Sequence, residues 1–172
     1  MISSFADMFA ELSKLAKGYS SSITPAVVNK QVHNELFFRT AYREAKNILE
    51  ISAHVPLIFG RPILSSWSAN YEFDLKRILI NEKFLSFDDI TDIEVCEVIL
   101  HELQHAKQHT NGDLIPDGPY LCWKNGFKIG MRDMQNLTIA EYNNLPWEKE
   151  ANNVASVFTP LLKEQLKYNW SV

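Results

Sequence analysis

The chain has 172 residues, 46% of them hydrophobic and 22% charged, with a formal net charge of −4. That length suits one domain with a short appendage, and the composition excludes general disorder. The acidic balance argues against a nucleic-acid partner, and no run approaches about 18 consecutive apolar residues, so no membrane-spanning helix is expected. Cys96 and Cys122 are too few for a disulfide framework or a four-thiolate metal site.

In chain order, Ile2, Phe5, Phe9, Leu12 and Leu15 recur at helical spacing, and the spacing predicts an amphipathic helix up to about Lys17. Asp7 and Glu11 interrupt any export-signal pattern there, so a reducing cytoplasm is the expected compartment. Tyr19 to Pro25, with three consecutive serines, reads as a linker. A second helix is expected from Val27 or Asn29 to Ile51, burying Phe37, Ala41, Ala45 and Ile48. The pattern then changes. Leu57 to Phe59, a stretch from Ile63 to Tyr71, and Ile78 to Ile80 are short apolar runs punctuated by Gly, Pro, Asn and Asp, and they read as strands of a small sheet.

Thr91 and Glu94 form a capping-box pair, opening a helix that runs through Val95, Val98 to Leu100, Leu103 and Ala106 to Asn111-Gly112. Three consecutive apolar residues within it require cover on more than one side. Asn125-Gly126, inside Tyr120 to Arg132, signals a hairpin. A last helix opens at Pro146, is kinked or interrupted at Pro160, and resumes to about Tyr168.

The central helix carries His101-Glu102-Leu103-Gln104-His105. Residues four apart share a helix face, so both imidazoles can reach one metal ion, while Glu102 is displaced enough to miss the metal and hold a water beside it. Two neutral nitrogen ligands with an adjacent carboxylate base suit hydrolysis by one zinc ion, which lowers the pKa of its water to about 7. A shuffled chain with 5 His and 13 Glu would contain about 0.01 such matches, so the motif is specific.

A third ligand is needed. His109 lies about 6 Å further along the same helix axis, too far to share a tetrahedral ion, and reads as an outer or solvated residue. Glu148 and Asn152 share a face of the last helix, so Glu148 can bind the metal while Asn152 orients a ligand imidazole. Glu150 points about 200° away and reads as a surface carboxylate or a partner for a lysine. Glu148 is favoured over Glu150, with Glu141 behind both. Tyr142, Tyr120 or Arg132 can stabilise a developing oxyanion. Trp123, Trp147 and Cys96 read as packing residues.

His101 to His105 on one helix, followed by Glu148-Lys149-Glu150-Ala151-Asn152 on a later one, resembles the gluzincin type of zincin metallopeptidase. The match lies in the third-ligand pattern of Glu, three residues, then Asp or Asn, with Ala151 and Ala155 as the small residues behind. The hairpin followed by Pro-Trp-Glu-x-Glu-Ala is similar to compact phage-borne and SprT-like metallopeptidases. Glu-x-Glu-Ala-Asn is also similar to metallopeptidases that cleave phage-type repressors. The resemblance covers roughly residues 55 to 160 and is specific at the two motifs.

The resulting expectation is a single α+β zincin-like domain, with residues 1–25 as helix and linker and about 27–172 as catalytic core. It would hydrolyse peptide bonds of a protein or peptide substrate, with no nucleic acid or membrane involved. His101, His105 and Glu148 would hold zinc and Glu102 would act as general base. Such an enzyme would bind substrate as an added strand on a sheet edge, with Arg77 to Asn81 a plausible strand of that sheet. A peptidoglycan endopeptidase, a repressor-specific regulatory protease and a non-catalytic binding module are the alternatives. The N-terminal helix could serve as an inhibitory flap, or close the core or a dimer contact.

Overall fold

The computed structural model describes residues 25–61, 68–86 and 91–170, so the expected N-terminal helix and linker lie outside the described residues. Helix α1 spans Pro25–Ile48. Its buried stripe is Phe38, Ala41 and Ala45, continued by Leu49 just past its end, with Phe37 and Ile48 packed at the edges. The stripe is therefore turned slightly from the expected one. The helix stops because Glu50 adopts φ 55°, letting Ile51 N–H reach Lys46 O and Glu50 N–H reach Asn47 O. That is a Schellman closure, three residues earlier than the apolar pattern implied.

Strands β1 (Leu57–Gly60), β2 (Ala69–Glu72) and β3 (Arg77–Asn81) form a sheet in the order β1-β3-β2. β1 runs parallel to β3 and β2 antiparallel to it. The strand expected from Ile63 to Tyr71 is represented by β2, which ends at Glu72; residues 62–67 lie outside the described residues. Arg77 to Asn81 is the central strand, and β2 is an edge. Burial fits this: β3 is almost wholly buried, whereas β2 alternates. A 3₁₀ turn at Glu82–Ser86 follows, tied to α1 by Asn34 Nδ2 donating to Leu85 O.

Helix α2 (Asp92–Thr110) begins at the expected capping box, with both reciprocal bonds between Thr91 and Glu94 formed. It lies between α1, the sheet and the last helix, which is why Ile99, Leu100, Leu103 and Ala106 have no exposed surface. A second sheet follows: β4 (Leu114–Asp117), β5 (Tyr120–Trp123) and β6 (Lys128–Gly130), an antiparallel meander. Asn125-Gly126 makes the β5–β6 turn, Gly126 at φ 83°. Short helices α3 (Met131–Met134) and α4 (Ile139–Asn143) lead to α5 (Pro146–Trp170).

α5 is one unbroken helix through Pro160, contrary to the expected interruption. Proline deprives the Ser156 carbonyl of its helical donor, but Ser156 and Pro160 both sit on the exposed face, where water can replace that bond. The opposite face buries Trp147, Ala151, Ala155, Leu162 and Leu166. Ala151 and Ala155, with Ala106 on α2, are small enough for the two helices to pack closely. That packing carries Glu148 to the histidines.

Candidate metal centre

α2 presents His101 and His105 one turn apart, their Nε2 atoms 3.0 Å from each other. Glu148, in the first turn of α5, places Oε2 3.2 Å from His101 Nε2 and Oε1 3.4 Å from His105 Nε2. Tetrahedral ligands held about 2.0–2.1 Å from one ion stand about 3.3 Å apart. The triangle therefore fits a single metal ion, and these three residues form a group that can hold one.

Burial sharpens the electrostatics. Burial alone would raise the Glu148 carboxyl, but hydrogen bonds from both imidazoles, and then their charges, hold it well below the usual carboxylate range. Burial pulls the His105 imidazole down, yet Glu148, Glu102 and the Gln108 hydrogen bond together lift it to about 9. The carboxyl of Glu102 is pushed up, chiefly by desolvation, against the opposing pull of His105 and His101. It also accepts a hydrogen bond from the backbone N–H of Tyr71. A carboxylate made more basic beside two imidazoles is suited to proton transfer.

All four groups line a cleft of about 990 Å³. One wall is the β2 edge. Asn81 N–H bonds Ser68 O, so the alternating ladder turns residues 68, 70 and 72 toward β3 and leaves the main chain of Ala69 and Tyr71 facing the cleft. The facing wall comes from β4, β5 and α3, with apolar Leu121, Met131 and Met134. No lysine or arginine is among the described residues that line the cleft.

The remaining sequence candidates divide cleanly. Tyr142 lines the cleft, and its hydroxyl hydrogen-bonds Glu148; burial, then the Glu148 and Glu102 charges, push that hydroxyl well above its ordinary value. Tyr120 and Arg132 are exposed and do not line the cleft; Tyr120 instead lies under Lys128 Nζ, 5.0 Å from the ring centre. Glu141 is spent on the capping box with Thr138. His109 is held off the metal group by Tyr71, its Nδ1 2.9 Å from the phenol oxygen, and meets the Phe73 ring edge-on.

Asn152 stands exposed in the cleft wall and, among the described residues, makes no hydrogen bond to either imidazole. The place expected for it is filled by Gln108, whose Oε1 is 2.9 Å from His105 Nδ1. Gln108 follows His105 by three residues on the same helix face, a spacing that could have revealed it. Glu150 faces away from the metal group, bonded to Gln108 Nε2 and paired with Lys124 at 3.4 Å. Trp123 and Trp147 pack near each other in a small second core, and Cys96 is fully buried, as expected. No helix among the described residues is long and apolar enough to cross a membrane. Compared with protein-family models, curated proteins and solved structures, the chain finds no match in any of the three.

Proposed function

We propose that this chain is a zinc-dependent metallopeptidase with a zincin-like arrangement of helix, sheet edge and cleft. The observation that carries the reading is the convergence of His101, His105 and Glu148 within 3.0–3.4 Å, with Glu102 beside them in the same cleft. Two imidazole nitrogens and one carboxylate favour zinc over magnesium or calcium, which prefer all-oxygen sites. Held by these three residues, zinc would supply a Lewis acid that makes water reactive at neutral pH.

The protein's own groups do the rest. Glu102, made basic by burial, takes a proton from the attacking water and delivers it to the leaving amine. The Tyr71 N–H holds that carboxylate in place. Tyr142 keeps a neutral hydroxyl in the cleft whose one hydrogen goes to Glu148, so it reaches an oxygen on which charge develops only by exchanging that bond. The outward main chain of Ala69 and the carbonyl of Tyr71 offer an extended polypeptide the hydrogen bonds of an added strand.

The test is metal content by elemental mass spectrometry, followed by casein or peptide cleavage. The wild-type chain should carry one zinc, Glu148→Ala should lose it, and Glu102→Gln should keep it while turnover falls about 10²–10⁴-fold. Near wild-type turnover by Glu102→Gln would overturn the mechanism, and a wild type that refuses zinc would overturn the metal assignment. Full zinc occupancy with silence on casein would favour a protease specific for one protein partner; cleavage of muropeptides alone would favour a peptidoglycan endopeptidase.

A further inference from the structure

Gln108 is a fully buried amide that the proposed chemistry does not use. Its Nε2 donates to Trp147 O at 3.0 Å and to Glu150 Oε2 at 2.9 Å. A backbone carbonyl and a carboxylate only accept, so both amide hydrogens are committed to them. Turning the amide over would set its oxygen against two acceptors. Oε1 must therefore face His105, and the hydrogen bond of 2.9 Å between them requires the hydrogen to sit on Nδ1.

We infer that Gln108, clamped by Glu150 and the Trp147 carbonyl, is a positioning residue that fixes the His105 tautomer and leaves Nε2 free to bind the metal. The inference rests on the metal-site reading above. The same amide acts on a second ligand. Trp147 immediately precedes Glu148, so the bond to its carbonyl pins the first turn of α5 against α2 and sets where Glu148 stands relative to His105. Glu150 is itself held by Lys124, which also reaches Asp113 at 3.5 Å and lies over the Trp123 ring. A chain of contacts thus runs from the surface of the β4–β5 hairpin to one metal ligand. Among the described residues, His101 Nδ1 has no such hydrogen bond.

The experiment uses the full chain and zinc itself. Zinc affinity is measured by chelator competition, and the His105 ring by nitrogen-15 and proton NMR of the zinc-loaded protein. Gln108→Leu should bind zinc about 10–100-fold more weakly. Its slowly exchanging His105 Nδ1 proton should be lost, or ligation should become mixed between Nδ1 and Nε2. Glu150→Ala changes a partly exposed residue and keeps the chain folded if Gln108→Leu does not; it should weaken zinc several-fold, with Glu150→Gln, which retains an acceptor, restoring most of the affinity. Asn152→Ala should leave zinc affinity unchanged. Affinity within twofold of wild type for both Gln108→Leu and Glu150→Ala, with the Nδ1 signal intact, would overturn the inference. A wild-type chain that binds no zinc would instead bring down the metal reading on which it stands.

Discussion

The two sides of the cleft are held in unequal ways. Among the described residues, the side built from α1, α2, α5 and the β1–β3 sheet shares one cluster of twenty-one buried apolar residues, whereas the β4–β6 side has five: Leu114, Leu121, Trp123, Leu145 and Trp147. One of those five, Trp147, belongs to α5 and adjoins Glu148. The candidate metal ligands therefore project from the strongly packed side, while the opposite cleft wall depends on a small core that borrows one of its two tryptophans from that side. Elements with few buried apolar contacts open at lower free energy than the main core. The inequality places the more thinly packed structure on one cleft wall and the more deeply packed structure beneath the His101–His105–Glu148 group.

The largest test of this arrangement is Trp147→Ala. Removing a fully buried tryptophan should cost about 3–5 kcal/mol. It should also disturb Glu148 and weaken zinc binding, because the same residue anchors both. Urea unfolding and zinc titration check this; a variant destabilised by less than about 1 kcal/mol would mean the small core does not depend on α5. Leu100→Ala, deep in the larger cluster, should cost about 2–5 kcal/mol without a separate loss of the β4–β6 side. Hydrogen exchange separates the cases: in the wild type, the amides of β5 and β6 should exchange faster than those of the middle of α2. Equal protection would erase the contrast.

The same contrast explains what was legible in the sequence. α2 could be read because its start, its apolar face and His101 to His105 are all local, and the Thr91–Glu94 box formed as the spacing required. Helical phase sets Glu148 and Glu150 on different faces of α5, and the favoured Glu148 is the one that joins the histidines. What failed depended on neighbours distant in sequence. No local pattern says that β3 is central and β2 an edge; that is decided by pairing with β1. Asn152 shares a helix face with Glu148, but nothing in its own helix records that Gln108 already occupies His105 Nδ1. Gln108 lies one helical turn from His105, but the Trp147 carbonyl and Glu150 that fix its amide stand about forty positions away in the chain.

One free cysteine lies on each side, which gives a chemical probe of the comparison. Cys96 is fully buried in the larger cluster, and burial, with Asp92 nearby, pushes its thiol up to about 12. Its thiolate is scarce at pH 8, so in the native state it should resist alkylation, while the partly exposed Cys122 on β5 should react first. The sign of the pH effect follows. The raised folded value leaves stability untouched below the unfolded thiol's range near 9, and stability falls as pH rises from there toward 12. Cys96→Ala should reduce that alkaline decline. Mass mapping after iodoacetamide treatment reads the order; modification of Cys96 before Cys122 would show that the larger core opens first.

The smallest expected effect lies far from the cleft, at the end of α1. Glu50 occupies a left-handed conformation, φ 55°, that the Schellman closure demands and that a side chain with a Cβ adopts at a cost. Its side chain is exposed, so little packing opposes replacement. Glycine there removes the backbone strain but enlarges the freedom of the unfolded chain, and at a left-handed helix end the first effect should win. Glu50→Gly should therefore stabilise the protein by about 0.5–1 kcal/mol, raising the urea midpoint with an unchanged slope and unchanged zinc affinity. A lower midpoint would mean that Glu50 makes a compensating interaction in the folded chain stronger than the relief of its backbone. The larger core would then owe part of its advantage to the surface around it rather than to apolar packing alone.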